Sequence, residues 1–136
     1  MRILTFQARR FWWKSFSKTL EGVEDVQVEE EVKDAVVAFV HVEEGDEEER
    51  VSVVRKALKH LKWIANKREL RTVVLHSFAH LGAENSSPEF AEALFAELRE
   101  RLEGSDYAVR MTPFGYFCEW DLGVYGESLA KVWKQL

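Results

Sequence analysis

Short apolar runs separated by polar stretches, rather than one sustained period, organise the first third of this chain. Met1–Phe6 is apolar enough for a strand, and Phe11-Trp12-Trp13-Lys14-Ser15-Phe16 has the aromatic content of a second, so the two predict a hairpin. From Ser17 to Lys33 the residues are mostly polar and include Gly22 and the acidic cluster Glu29-Glu30-Glu31. This stretch predicts an exposed connection with one short strand at most, around Val26–Val28. Asp34–Val42 alternates poorly and is mostly apolar, as a strand covered on both faces is, and predicts a central strand.

The pattern then changes period. An acidic run, Glu43–Glu49, precedes a helix expected from about Glu48 to Lys67, in which Val51, Val54, Leu58, Leu61 and Ala65 recur at three- and four-residue steps. Carboxylates sit favourably at the positive end of a helix and Lys67-Arg68 at its negative end, which makes the acidic run a helix-start signal rather than a metal site. Thr72–His76 predicts another apolar strand. Ser87-Pro88-Glu89 supplies a cap, a first-turn proline and a favourable acid for a helix running through Phe90, Leu94, Leu98 and Leu102 to Gly104. Tyr107–Met111 and Tyr116–Leu122 predict two strands joined through Thr112-Pro113-Phe114-Gly115, and Ser128 the cap of a final short helix ending at Leu136. The order of elements predicts one α/β domain over residues 1–136, with hairpins at both ends, a mixed sheet, two main helices and a short C-terminal helix.

Composition bounds what such a domain can be. With 136 residues, 46% of them apolar and 12% aromatic, the chain can bury a core without disulfides or a structural metal. Its one cysteine, Cys118, has no partner for an intramolecular disulfide, which fits a reducing compartment. There is no signal-peptide pattern and no apolar run of bilayer length, so a cytoplasmic protein without membrane contact is expected. A net charge of −5 argues against a general electrostatic nucleic-acid binder. A small basic patch would still serve to receive a nucleic-acid end. Arg9, Arg10, Lys14 and Lys18 are candidates, or else the ordinary charges of a solvated strand and turn. The glycines form neither a dinucleotide-binding nor a phosphate-loop pattern, and no cofactor is expected.

His76 and His80, with Glu84 four residues further on, have a superficially metal-like spacing. Four-residue spacing brings ligands together on a helix, whereas this pair spans a strand end and the following loop, so metal ligation is not the expected use. The position of His80 is more informative: a loop after an apolar strand is where open α/β sheets place ligands, although a histidine held by backbone partners accounts for it equally well. Cys118 is either a small core residue or a nucleophile, and in the second case His80 is the available base. Trp12, Trp13, Trp63, Trp120 and Trp133 offer stacking surfaces, core packing or dimer packing.

Phe78-Ala79-His80-Leu81 after a strand, and Pro113-Phe114-Gly115-Tyr116 leading into another, are similar to signatures of the editing domain at the N-terminus of archaeal threonyl-tRNA synthetases. The Met1-Arg2-Ile3-Leu4 opening, Val36-Val37-Ala38-Phe39 and the closing Leu129-Ala130 match in type and place, and the resemblance covers almost the whole chain. It implies a D-aminoacyl-tRNA deacylase-like fold, usually dimeric, and hydrolysis of serine mischarged on threonine tRNA. It also implies as partners the acylated 3′ end of tRNA and a separate threonyl-tRNA synthetase, since no synthetase region follows Leu136. Carried over residue by residue, His80 matches the family's histidine and Ala79 a main-chain substrate contact. Phe114 and Gly115 match the pocket wall, with Val42, Ser77 and Phe117 as further substrate-contacting positions.

The resemblance breaks at several polar positions. The family's lysine after the aromatic pair is replaced by Cys118, its second aromatic, a tyrosine, by Phe117, and its glutamate near the C-terminus by Lys131. The N-terminal histidine and aspartate of typical members correspond to Gln7 and Arg9. Since a lysine is lost at one pocket position and gained at another, the expectation is an exchange in which the Lys131 ammonium faces His80 while the Cys118 thiol occupies the strand site. The expected catalytic set is thus His80, Cys118 and Lys131. Alternatives that keep the fold are a D-aminoacyl or other aminoacyl-tRNA deacylase, and a non-catalytic module that binds charged tRNA or a synthetase.

Overall fold

The computed structural model describes residues 1–136 and contains six strands and two helices: β1 (Arg2–Lys18), β2 (Glu29–His41), α1 (Arg50–Asn66), β3 (Thr72–Ser77), α2 (Pro88–Glu103), β4 (Ala108–Met111), β5 (Tyr116–Val124) and β6 (Lys131–Gln135). The sheet runs β4-β3-β2-β1-β5, with β6 also paired to β1. β2, β3 and β4 are parallel to one another, and β1 is antiparallel to its three partners. A mixed sheet with two main helices is therefore what forms.

Both helices follow their sequence signals closely. Ser87 Oγ accepts the Phe90 N–H at 3.2 Å, which caps α2, and Pro88 occupies its first turn. α1 buries Val54, Leu58, Leu61 and Ala65 as its period predicts, but Val51 is 85% exposed; Val53, Ala57 and Ile64 complete the buried stripe. The helices and one face of the sheet enclose the larger core, with Leu61, Ile64, Leu94 and Leu98 fully buried against Val36, Ala38 and Val73.

Four expectations about strands are corrected. Residues 1–16 form no hairpin: β1 is one strand, because Gln7-Ala8-Arg9-Arg10 contains no turn former and both edges of β1 find partners. The acidic cluster Glu29–Glu31 is not a connection but the start of β2, with no strand at Val26–Val28 before it. Cross-strand partners make it tolerable there, as Arg10 pairs with Glu31 at 2.5 Å and Trp12 Nε1 donates to Glu29 at 3.0 Å. β4 and β5 are not hairpin neighbours: β4 lies beside β3, and β5 lies beside Ala8–Lys18 of β1. Finally, the C-terminal helix reduces to a single 3-10 turn at Ser128–Ala130. Lys131–Gln135 then runs as β6 along Arg2–Phe6, filling the stretch of β1 edge that β5 leaves free.

The sheet also folds back on itself. Seven residues separate Glu30 from Val37 on β2, roughly 23 Å if straight, yet Arg110, level with Val37 through Val74, donates to Glu30 at 2.8 Å. Asp34 at φ 52, beside the irregular Ala8–Arg10 stretch of β1, is where β2 turns. The outer halves of β1 and β2, with β5, thus cover the helix-free face and enclose a second core of Phe11, Trp13, Val37, Phe39 and Val74. Trp120 of β5 meets Phe39 of β2 edge-on at 5.3 Å, although β1 lies between them in the sheet.

Candidate active site

The fold-back brings two loops together at the carboxyl ends of β2 and β3. The chain leaving β3 is pinned to the end of β2 at both sides, since Phe78 N–H donates to Val40 O at 2.9 Å and Ser86 N–H to Val42 O at 3.1 Å. Between these pins the completely buried His41 holds the loop from below. Its Nδ1 accepts the Leu81 N–H at 3.2 Å, and its Nε2 donates to Glu84 O at 2.8 Å. These two contacts select the neutral tautomer protonated on Nε2. Arg2 Nη1 adds a bond to Leu81 O at 3.0 Å and lies where a Cβ on Gly82 would be, 2.5 Å away. A side chain at Gly82 would have to displace that guanidinium.

The facing wall is the crossing from β4 to β5. Gly115 has φ +80, and an added Cβ would lie 2.7 Å from Val23 Cγ1, so both backbone and space call for glycine there. Its carbonyl accepts the Thr19 N–H at 2.7 Å, and Tyr116 Oη donates to Glu24 O and accepts the Val26 N–H at 2.9 Å. The tip of the β1–β2 hairpin is thereby fastened over the crossing. His76 at the end of β3 shares a 2.8 Å hydrogen bond with Thr112 Oγ1, tying the two walls together at their base.

Between the walls lie two connected hollows. The smaller one, about 230 Å³, is walled by Val40, Val42, Ala91 and Phe114 with Ser77, Asn85 and Ser86 as polar side chains. The larger one, about 330 Å³, is bordered by His76, Phe78, His80, Phe117, Cys118 and Trp120. Thr19, Ser77, Ala79 and Gly115 border both. No aspartate, glutamate, lysine or arginine lines either hollow. Main-chain dipoles, hydroxyls, the Asn85 amide and the imidazoles of His76 and His80 are the polar groups available there.

Burial decides the state of the groups in this cavity. Desolvation lowers the His76 imidazole from 6.5 to about 4, so it is neutral at physiological pH. The same cause pushes the Cys118 thiol up, away from thiolate. No hydrogen bond joins Cys118 to His80 or to His76, and His80 packs edge-on against Phe78 at 5.1 Å. A protonated thiol without a base makes a poor nucleophile. The cavity can instead hold water and a small polar group among main-chain groups, hydroxyls and one accessible imidazole.

Val42, Ser77, Ala79, His80, Phe114, Gly115, Phe117 and Cys118 all border this cavity. Lys131 does not, and its expected exchange with the strand site is corrected. It sits on β6 opposite Phe6, and its Nζ donates to Tyr125 O at 2.9 Å and Gly126 O at 3.3 Å. Gln7 and Arg9 are elsewhere too. Gln7 lies under α1, donating to Ile64 O at 2.8 Å, and Arg9 is exposed and donates to Val124 O. Sequence reasoning missed His41, Arg2 and Thr112, whose value comes from bonds to residues dozens of positions away. A lone histidine at the end of an apolar strand is the one faint signal among them.

The family model for the archaea-specific editing domain of threonyl-tRNA synthetase matches residues 1–136. Threonine–tRNA ligase of Staphylothermus marinus is 36% identical over 140 residues, covering 100% of this chain and 22% of that protein. The ligases of Hyperthermus butylicus and Methanosphaera stadtmanae are 31% and 30% identical, each over 97% of this chain and 22% of the relative. The chain thus spans about a fifth of the length of these relatives. A solved structure titled c-Myc DNA Unwinding Element Binding Protein superposes with a TM-score of 0.67 at 13% identity, covering 100% of this chain and 99% of that one, and speaks to the fold alone. The fold is the D-aminoacyl-tRNA deacylase-like one expected, and no helix is long and apolar enough to cross a membrane. With motif, fold and full-length match in agreement, the chain belongs to the archaea-specific editing-domain family of threonyl-tRNA synthetase.

Proposed function

We propose that this cavity hydrolyses the ester of serine mischarged on threonine tRNA. The observation that carries the reading is the uncharged double hollow between the His80 loop and the Gly115 crossing. Its smaller part, walled by Val40, Val42 and Ala91, suits a small amino-acid side chain, and the Ser77 hydroxyl beside it suits a polar one. A separate hydrolytic site is needed because one methyl group changes binding by only about 1–3 kcal/mol, so a threonine synthetic site cannot reject serine strongly. Water is held by main-chain groups of Ala79 and Gly115 and by His80, with the 2′-hydroxyl of the terminal ribose completing its placement. Positioned water and oriented dipoles suffice for such a step without a side-chain nucleophile. The reading includes action in the cytoplasm, in trans to a separate threonyl-tRNA synthetase, and a homodimer, with the 53% exposed Trp133 of β6, opposite Leu4, as an apolar contact.

The test is ester hydrolysis on seryl- and threonyl-tRNA for threonine. Serine is expected to be released well above the spontaneous rate and threonine roughly 10- to 100-fold more slowly. A terminal 2′-deoxyribose is expected to abolish the gain, while Cys118→Ser leaves it within about twofold because the thiol stays protonated. Preference for D-aminoacyl esters in the same assay would move the reading to a D-aminoacyl deacylase. A second reading, a module that holds charged tRNA without turnover, is favoured by the absence of any cation from the cavity. One preorganised stabilising group is worth about two to three orders of magnitude in rate. Tight binding with no ester loss at equimolar protein would establish the module and refute hydrolysis.

A further inference from the structure

The four cations singled out near the N-terminus are mostly spoken for. Arg10 is paired with Glu31 and Asp121, Lys18 with Asp25, and Arg9 is turned onto Val124 O beside the Tyr125 ring. Arg50, Arg68, Arg99 and Arg110 likewise each have a carboxylate partner. Eleven of the 19 lysines and arginines have no carboxylate within 4.0 Å, so what is informative is where they cluster and not that they are unpaired.

One groove brings three of them together beside an exposed aromatic ring. A groove of about 550 Å³ between α1 and β6 is lined by Lys56, Lys59, His60, Trp63 and Lys134, with Gln135 and Leu136 completing its rim and no aspartate or glutamate among them. None of the three lysines has an ion-pair partner within 4.0 Å. The indole of Trp63 is 44% exposed, and Lys67 Nζ stands 5.9 Å from its ring. Buried His60 forms the floor: its ring lies 6.1 Å from Trp63, its Nε2 contacts Thr5 Oγ1 at 3.3 Å, and its Nδ1 has no partner. Since Thr5 gives its own proton to Val132 O, His60 is the donor in that contact, and as a neutral ring it adds no charge of its own to that of the lysines. Unpaired lysines around an exposed indole combine what a phosphodiester chain and an unstacked base each require.

The groove also has a route to the cavity. Gln135 at its edge pairs with Arg2, and Arg2 holds Leu81, the residue after His80. One strand spacing plus one arginine side chain is roughly 15 Å, about four stacked nucleotides at ~3.4 Å each.

We infer that the Lys56–Lys59–Trp63–Lys134 groove binds the phosphate backbone and one base of the tRNA whose acylated end enters the cavity. This rests on the proposed editing reading and adds the surface that receives the nucleic acid. The test compares the wild-type chain with Lys56→Gln/Lys59→Gln/Lys134→Gln and with Trp63→Ala, using two probes. The first is uncharged threonine tRNA, whose affinity is measured across a salt series. The second is a seryl ester of adenosine, which fills the cavity and cannot reach the groove. The triple variant is expected to lose tRNA affinity by roughly five- to tenfold per phosphate contact at 0.1 M salt, and the slope of log K against log salt to shrink by about 2 to 3. Trp63→Ala is expected to cost roughly ten- to a hundredfold through lost stacking. A control removing the same charge elsewhere, Arg10→Gln/Lys14→Gln/Lys18→Gln, is expected to leave the slope nearly unchanged. Adenosine-ester hydrolysis should be equal in all four proteins. Wild-type affinity and slope in the triple variant, or an equal loss in the control, overturns the groove whatever the ester assay shows. Failure of every protein to hydrolyse the ester bears on the editing reading instead.

Discussion

Replacing His41 tests whether the loop bearing His80 is held from beneath or holds itself. His41→Leu keeps the buried volume roughly constant while deleting the bonds to Leu81 N–H and Glu84 O, at 3.2 and 2.8 Å. At a net worth of about 1 kcal/mol each, the loop loses about 2 kcal/mol of closing free energy, or roughly thirtyfold in its open-to-closed ratio. The amides of Phe78 and Ser86, bonded to Val40 O and Val42 O at the loop's two ends, report on this because neither touches His41 by hydrogen bond. Native-state hydrogen exchange should show both speeding up by about that factor, with Leu61 in the core of α1 changing far less. Ester hydrolysis should fall with them, since His80 and Ala79 ride on the same loop. Faster exchange confined to Leu81, with Phe78 and Ser86 unchanged, would refute the clamp and leave His41 as a packed ring with two incidental contacts.

Two stability predictions follow from the groups around the cavity. His76 is lowered to about 4 by burial, against 6.5 when free, so the unfolded chain takes up a proton first as pH falls. Its contribution is therefore intact above about pH 6.5 and is lost progressively toward pH 4, with a deficit of about 2 kcal/mol at pH 5 if the group acts alone. Urea midpoints at pH 7 and pH 5 check this, and buried His60, also lowered to about 4, acts in the same direction. Gly115→Ala must adopt φ +80 and push its Cβ against Val23, so a loss of roughly 1–3 kcal/mol is expected in a chemical melt, together with loosening of residues 19–26.

Local chemistry wrote the helices legibly. Ser87-Pro88 needs only its own next turn to start α2, and the three- and four-residue recurrence of Val54, Leu58, Leu61 and Ala65 selects the face α1 buries wherever the sheet lies. The apolar strand at Thr72 was readable for the same reason, because a short apolar run is a property of a few neighbouring residues. The partners of an edge were not readable. Whether Val132 and Trp133 join a helix or a strand depends on β1 having a vacant edge, and whether Glu29–Glu31 can be a strand depends on Arg10, Trp12 and Arg110 standing opposite. The cavity shows both sides of this division. Its residue types and rough membership were visible in two short motifs, yet the turn at Asp34 that carries β5 across the sheet is what brings Cys118 to the His80 loop, and the register of β6 takes Lys131 away from it. Sequence determines which groups a segment offers; long-range strand pairing, whose energy is shared between distant residues, decides which of them meet.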